Sequence, residues 1–171
     1  MKAEVSQQRS LLELAELDAE LGRIEHRLKK LPEQTALESA QSAHREAGDR
    51  LAAVQLALAD IDGQIAKFET EIDGVRQRED RDRRLLEGGT VDAKQLTELQ
   101  HELDPLQRRQ ASLEDSLLEV MERREELAAD ADRELAGIEE LQTTLTEAQR
   151  ACDDARTQLS VLKQQSLSRR D

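Results

Sequence analysis

The chain has 171 residues, of which 37 % are charged and 37 % apolar, with a single aromatic residue, Phe68. That stock is too poor in bulky rings for a globular core, and the formal charge of −13 would repel a phosphate backbone everywhere except at a local basic patch. No apolar run is long enough for a transmembrane helix, and Met1-Lys2-Ala3-Glu4 opens without the apolar segment of a secretory signal. The expectation is a cytoplasmic protein without membrane contact.

The first segment carries Leu14, Leu17, Leu21, Ile24, Leu28 and Leu31 at alternating three- and four-residue gaps. This spacing puts all six on one face of a helix, predicted over 3–31. Pro32 ends it, having no amide hydrogen and disfavouring helical geometry at the residue before it. Pro32 is also tolerated in the first turn of a following helix, so a kink or a short loop is expected there.

The second segment, predicted as a helix over 33–86, continues the pattern through Leu37, Ala40, His44, Ala47, Leu51, Val54, Leu58, Ile61, Ile65, Phe68, Ile72 and Val75. Beyond Val75 the seam stops being apolar. Arg76, Arg78, Arg81, Arg83 and Arg84 crowd a run that also holds Glu79, Asp80 and Asp82. A turn over 87–92 follows. Gly88 and Gly89 can supply the left-handed geometry that ends a helix, and Asp92 with Gln95 has the spacing of a capping box.

The third segment, predicted as a helix over 93–168, has the longest seam. Leu96, Leu99, Leu103, Leu106, Leu113, Leu117, Val120, Leu127, Ala131, Ile138, Leu141, Leu145, Ala148, Cys152, Ala155, Leu159 and Leu162 recur with the heptad spacing of a coiled coil. At 1.5 Å per residue the repeat extends roughly 110 Å. Gln110, Arg124 and Glu134 are its polar interruptions. Pro105 removes the bond to the His101 carbonyl, at a cost of about 3 kcal/mol in a regular helix interior, so a kink is expected near the turn.

Together these segments predict an all-α fold, a long antiparallel coiled-coil hairpin kinked near Pro32, with its turn at Gly88-Gly89 and 1–171 as one elongated domain. A turn centred on Gly89 selects pairs whose residue numbers total about 178. Heptad-shifted solutions stand at 171 and 185. The 178 register sets His44 beside Glu134 as a registry pair, Arg124 beside Val54 and Gln110 beside Phe68.

No catalytic constellation is legible. The three histidines are scattered, and carboxylates at helical spacing cannot act as an acid–base pair without a pocket. The single Cys152 excludes an intramolecular disulfide and a Cys-based zinc site in these residues. No metal ligand, catalytic residue or small-molecule substrate is assigned. The binding candidate is the tip, Arg76, Arg78, Arg81, Arg83 and Arg84, since phosphate recognition needs clustered cations. The competing reading is pairing with the acids of the same run, and no aromatic side chain is interleaved to stack bases.

Two stretches carry a family resemblance. Leu11-Leu12-Glu13-Leu14-Ala15-Glu16-Leu17-Asp18 runs on to Leu31-Pro32-Glu33. Thr90-Val91-Asp92-Ala93-Lys94-Gln95-Leu96 is followed by Leu99-Gln100-His101-Glu102-Leu103, Arg108-Arg109-Gln110, Leu113-Glu114-Asp115 and Val120-Met121-Glu122-Arg123. This resembles the bacterial C4-type zinc-ribbon proteins with an N-terminal coiled coil. The resemblance implies a kinked hairpin, then a ribbon with two Cys-x-x-Cys pairs binding zinc, and a nucleic-acid-binding or regulatory adaptor role. The sequence stops at Asp171 without such pairs, as a shortened form or as one that lost the ribbon, and no zinc ligand is carried over. The expectation is a non-enzymatic adaptor, monomeric as a hairpin, with a protein partner and RNA or DNA at its tip. The alternative is a structural scaffold or spacer that binds protein alone.

Overall fold

A computed structural model describes residues 2–170, and side chains over 4–170. It is 96 % helical, with no strand among the described residues. Helix α1 spans Lys2–Lys29, α2 Pro32–Glu87 and α3 Ala93–Arg170. The fold is a coiled-coil hairpin. Pro32 is the first residue of α2, where its missing amide hydrogen costs no helical bond. Lys30 and Leu31 separate it from α1. Pro105 lies inside α3, which is continuous through it.

The chain divides into two compact units, one of Met1–Gly48 with Ala136–Asp171, the other of Asp49–Leu135. In the first, Ile24, Leu31, Leu37, Cys152 and Leu159 are buried together, with Leu28, Leu145, Ala148 and Ala155 packed on them. Cys152 fills this core, and its thiol donates to Gln34 Oε1 at 3.3 Å; Arg156 donates to the same oxygen at 2.9 Å. The outer part of α1 pairs with the end of α3 through Lys163–Glu25 and Arg170–Asp18. Here Lys163 and Ser166 turn inward and Leu162 is exposed, a change of phase from the repeat that sequence spacing assigns to Leu159 and Leu162. Both ion pairs total 188, and this offset rotates the face that α3 presents to α1.

In the second unit Ile72, Val75 and Leu113 are buried together, with Phe68, Leu106 and Leu117 packed on them. The ion pairs between the helices fix the register. Arg109–Glu71 totals 180, Arg50–Glu134 184, Arg124–Asp62 186 and Arg76–Glu114 190. They centre on 185, the heptad-shifted solution, and the register of 178 is corrected to it.

The polar interruptions give the physical reason. At 185 two of them, Arg124 and Glu134, reach oppositely charged groups on α2, and Gln110 bonds within α3 to the carboxylate that receives Arg76. Gln110 Nε2 and Arg76 Nη2 both donate to Glu114 Oε1, at 3.1 and 3.0 Å. Arg124 Nε donates to Asp62 Oδ1, and Arg50 Nε donates to Glu134 Oε2 at 3.3 Å. A shift of seven residues along the helix, about 10 Å, would part these cross-helix ion pairs. The turn does not forbid the shift, because a five-residue connection lets α3 begin beyond the end of α2.

The register is checked by crosslinking with Cys152 changed to Ser. A chain with Ile72→Cys and Leu113→Cys forms an internal disulfide under mild oxidation. Ile72→Cys with Leu106→Cys, one heptad or about 10 Å away, forms it at least tenfold more slowly.

Candidate functional site

The turn that carries the site is built from three local devices. Gly88 donates its amide to the Arg84 carbonyl at 3.0 Å, closing the last turn of α2. A Cβ there would lie 3.2 Å from that carbonyl oxygen. Gly89 has φ +65°, the left-handed geometry that a residue with a side chain adopts only at a cost. Asp92 then starts α3 with the reciprocal box its spacing predicts: Oδ1 accepts from the Gln95 amide at 2.9 Å, and the Asp92 amide donates to Gln95 Oε1 at 3.3 Å.

The five arginines are not one cluster. At 100° per residue, Arg76 and Arg83 lie one above the other on one flank of the seam, Arg78 lies on the opposite flank, and Arg81 and Arg84 lie on the outer face. Arg76 is held by Glu114, and Arg83 lies 3.7 Å from Glu79. Among the described residues, Arg78, Arg81 and Arg84 make no ion pair, and all three are exposed. Of the remaining candidates, His44 is half-buried on α2 in the first unit, and Glu134, in the second, accepts from Arg50.

Two residues that sequence reasoning treated only as neighbours of the arginines prove structural. Glu79 is 4 % and Asp82 6 % exposed. Glu79 Oε1 and Asp82 Oδ2 have no hydrogen-bond partner. Burying an ionised carboxylate without a matched partner costs roughly several kcal/mol. The signal was present in the spacing, because the steps Val75, Glu79, Asp82, Leu86 continue the three-four repeat. A shallow groove of about 280 Å³ lies at the turn, lined by Leu85, Val91, Gln95, Glu98, Leu99 and Glu102.

The hydrogen bonds from Gln110 and Arg76 hold the Glu114 carboxyl below its usual range. Hydrogen bonding and charge from Asp62 raise Arg124. Both are exposed surface pairs, of the kind that contributes little to stability. Among the described residues no group of three or more His, Cys, Asp or Glu side chains could hold a metal ion. The one thiol is buried on Gln34. This donor set does not fit a four-thiolate zinc centre. Among the same residues, no helix is long and apolar enough to cross a membrane.

A buried three-four seam closed by a tight glycine turn defines a coiled-coil hairpin. The chain belongs to the family of the CT398-like coiled coil hairpin domain, which matches residues 14–171. It is 56 % identical over 171 residues to the uncharacterized protein Rv2229c of Mycobacterium tuberculosis, covering 100 % of this chain and 70 % of the relative. It is 48 % identical over 158 residues to the uncharacterized protein ML1638 of Mycobacterium leprae, covering 92 % and 68 %. A solved structure from Mycobacterium smegmatis superposes with a TM-score of 0.86 at 59 % identity, over 98 % of this chain and 69 % of that one.

Glu114 yields a pH prediction. A carboxyl held below its ordinary value of about 4.3 contributes stability that is present above that value and lost as pH falls through the lowered one. Glu114→Gln therefore lowers the thermal midpoint at pH 7, and the difference from the parent chain shrinks as pH falls below the ordinary carboxylate range and through the lowered value. Thermal melts at a series of pH values check it.

Proposed function

We propose that this chain is a non-enzymatic coiled-coil adaptor that presents its glycine tip to a partner macromolecule, with Arg78, Arg81 and Arg84 contacting the phosphates of RNA or DNA. The observation that carries the reading is the division of the tip arginines. Two are engaged by acids at the seam, and three, Arg78 on the other flank and Arg81 and Arg84 on the outer face, stand exposed without an ion pair among the described residues. Phosphate contact needs cations whose charge is not already neutralised. The acidic remainder of the chain, with its formal charge of −13, would confine such contact to the tip.

A second reading, a structural scaffold that binds protein alone, is favoured by a different observation. Leu85 and Leu96 are 44 % and 38 % exposed on either side of the turn, beside the groove that Leu85, Val91 and Leu99 line. Both readings place the protein in the cytoplasm as a monomeric hairpin without a small-molecule substrate. The zinc ribbon that the family resemblance implies is assigned to no residue of this chain.

A gel-shift titration with RNA and duplex DNA at two salt concentrations separates them. On the adaptor reading, changing Arg78, Arg81 and Arg84 to Ala weakens binding at least tenfold at low salt. With DNA it also reduces the slope of log K against log salt by about 2 to 3, near 0.9 for each phosphate no longer neutralised. Arg76→Ala with Arg83→Ala leaves affinity within about twofold. No shift at any salt with the intact chain removes the nucleic-acid role and leaves the scaffold.

A further inference from the structure

The buried acids of the tip do more than interrupt the seam. In the register of 185, Glu79 lies level with Leu106 and Asp82 level with Leu103. Both leucines are only half-buried. One turn back toward the shaft the same seam is well filled, with Ile72, Val75 and Leu113 buried. The seam therefore passes within one heptad from tight apolar packing to two carboxylates set against leucines.

The balance of forces at this level favours separation of the helices. Glu79 has one long contact, to Arg83 at 3.7 Å, and Asp82 has no ion pair among the described residues. An oxygen on each is buried without a hydrogen bond. If the helices part, both carboxylates regain water, and the desolvation penalty disappears. The opposing cost is the partial burial of Leu86, Leu99 and Leu103, small against the full burial of the seam below, on which Leu106 packs.

The third helix is weakened at the same height. Pro105, level with Asp80 in this register, gives α3 no amide hydrogen for the His101 carbonyl. Both arms thus have their weak point at one level, within the same compact unit.

We propose that residues 79–103 form a clasp that opens independently of the packing at Ile72, Val75 and Leu113, to which Leu106 belongs, with Glu79 and Asp82 as the groups that set its opening equilibrium. The clasp closes on the turn held by Gly89 and the Asp92 box, so opening separates the arms without unravelling the loop. It exposes Leu86, Leu99 and Leu103 as one apolar strip. This device does not depend on the nucleic-acid reading and holds equally for a scaffold.

Residue-resolved hydrogen exchange on the full chain tests it. Amides of 83–86 and 97–103 exchange at least tenfold faster than those of 61–75 and 113–127, since local opening reaches lower protection than global unfolding. Changing Glu79 and Asp82 to Leu slows exchange of the tip at least tenfold and raises the thermal midpoint. Because two added leucines could alter the register, Glu79→Gln with Asp82→Asn is run beside it and slows exchange in the same direction by a smaller factor. Uniform protection across the seam in the parent chain overturns the clasp. Unchanged or faster tip exchange in both variants does so as well. Slowing of the parent's tip exchange by calcium or magnesium, reversed by a chelator, overturns it in favour of an ion held between the two carboxylates.

Discussion

Everything in this hairpin depends on which residue of α2 faces which residue of α3. A heptad seam is nearly blind to a slip of seven, because leucine meets leucine in either case. The polar residues break the degeneracy. Gln110, Arg124 and Glu134 sit in an otherwise apolar seam, and a register that left them among hydrocarbon would strand their hydrogen-bonding groups. At the observed offset Arg124 meets Asp62 and Glu134 meets Arg50 across the seam, while Gln110 bonds to Glu114 on its own helix, the carboxylate that Arg76 reaches from α2. Each bond is weak as a source of stability, yet together they select one alignment. Buried polar residues have this role in other coiled coils, where they fix register at some cost in stability.

The same register decides what the tip can offer. By aligning Arg76 with Glu114 it pairs off the charge of one arginine, which stays on the surface. By continuing the seam through Glu79 and Asp82 it turns two acids inward, leaving Glu79 one contact of 3.7 Å to Arg83 and Asp82 no ion pair among the described residues. The outer face is left richer in available positive charge than the composition of the run suggests. Helical phase, and not the count of basic residues, determines which side chains a partner would meet.

Much of the architecture is legible in the sequence. Uninterrupted spacing from Leu37 to Val75 fixes a helix and its buried face. The glycine pair and the Asp92–Gln95 spacing fix the turn, because each needs only local chemistry. The register was not legible, since the position of a turn constrains pairing only to within the length of its loop. The burial of Glu79 and Asp82 was obscured by their charge: acids in an arginine-rich run suggest solvated ion pairs. The inward turn of Lys163 and Ser166 in place of Leu162 was also hidden, because it arises from how α1 meets α3 after the break at Lys30 and Leu31.

Cys152 is the chain's single thiol and lies in the core of the first unit at 2 % exposure, bonded to Gln34. A thiol-directed reagent therefore reaches sulfur only when that core loosens. In a chain with no tryptophan or tyrosine to report by fluorescence, the rate of alkylation becomes a clock for the excursions of this unit alone. It runs without any engineered probe and is silent to motions confined to residues 49–135.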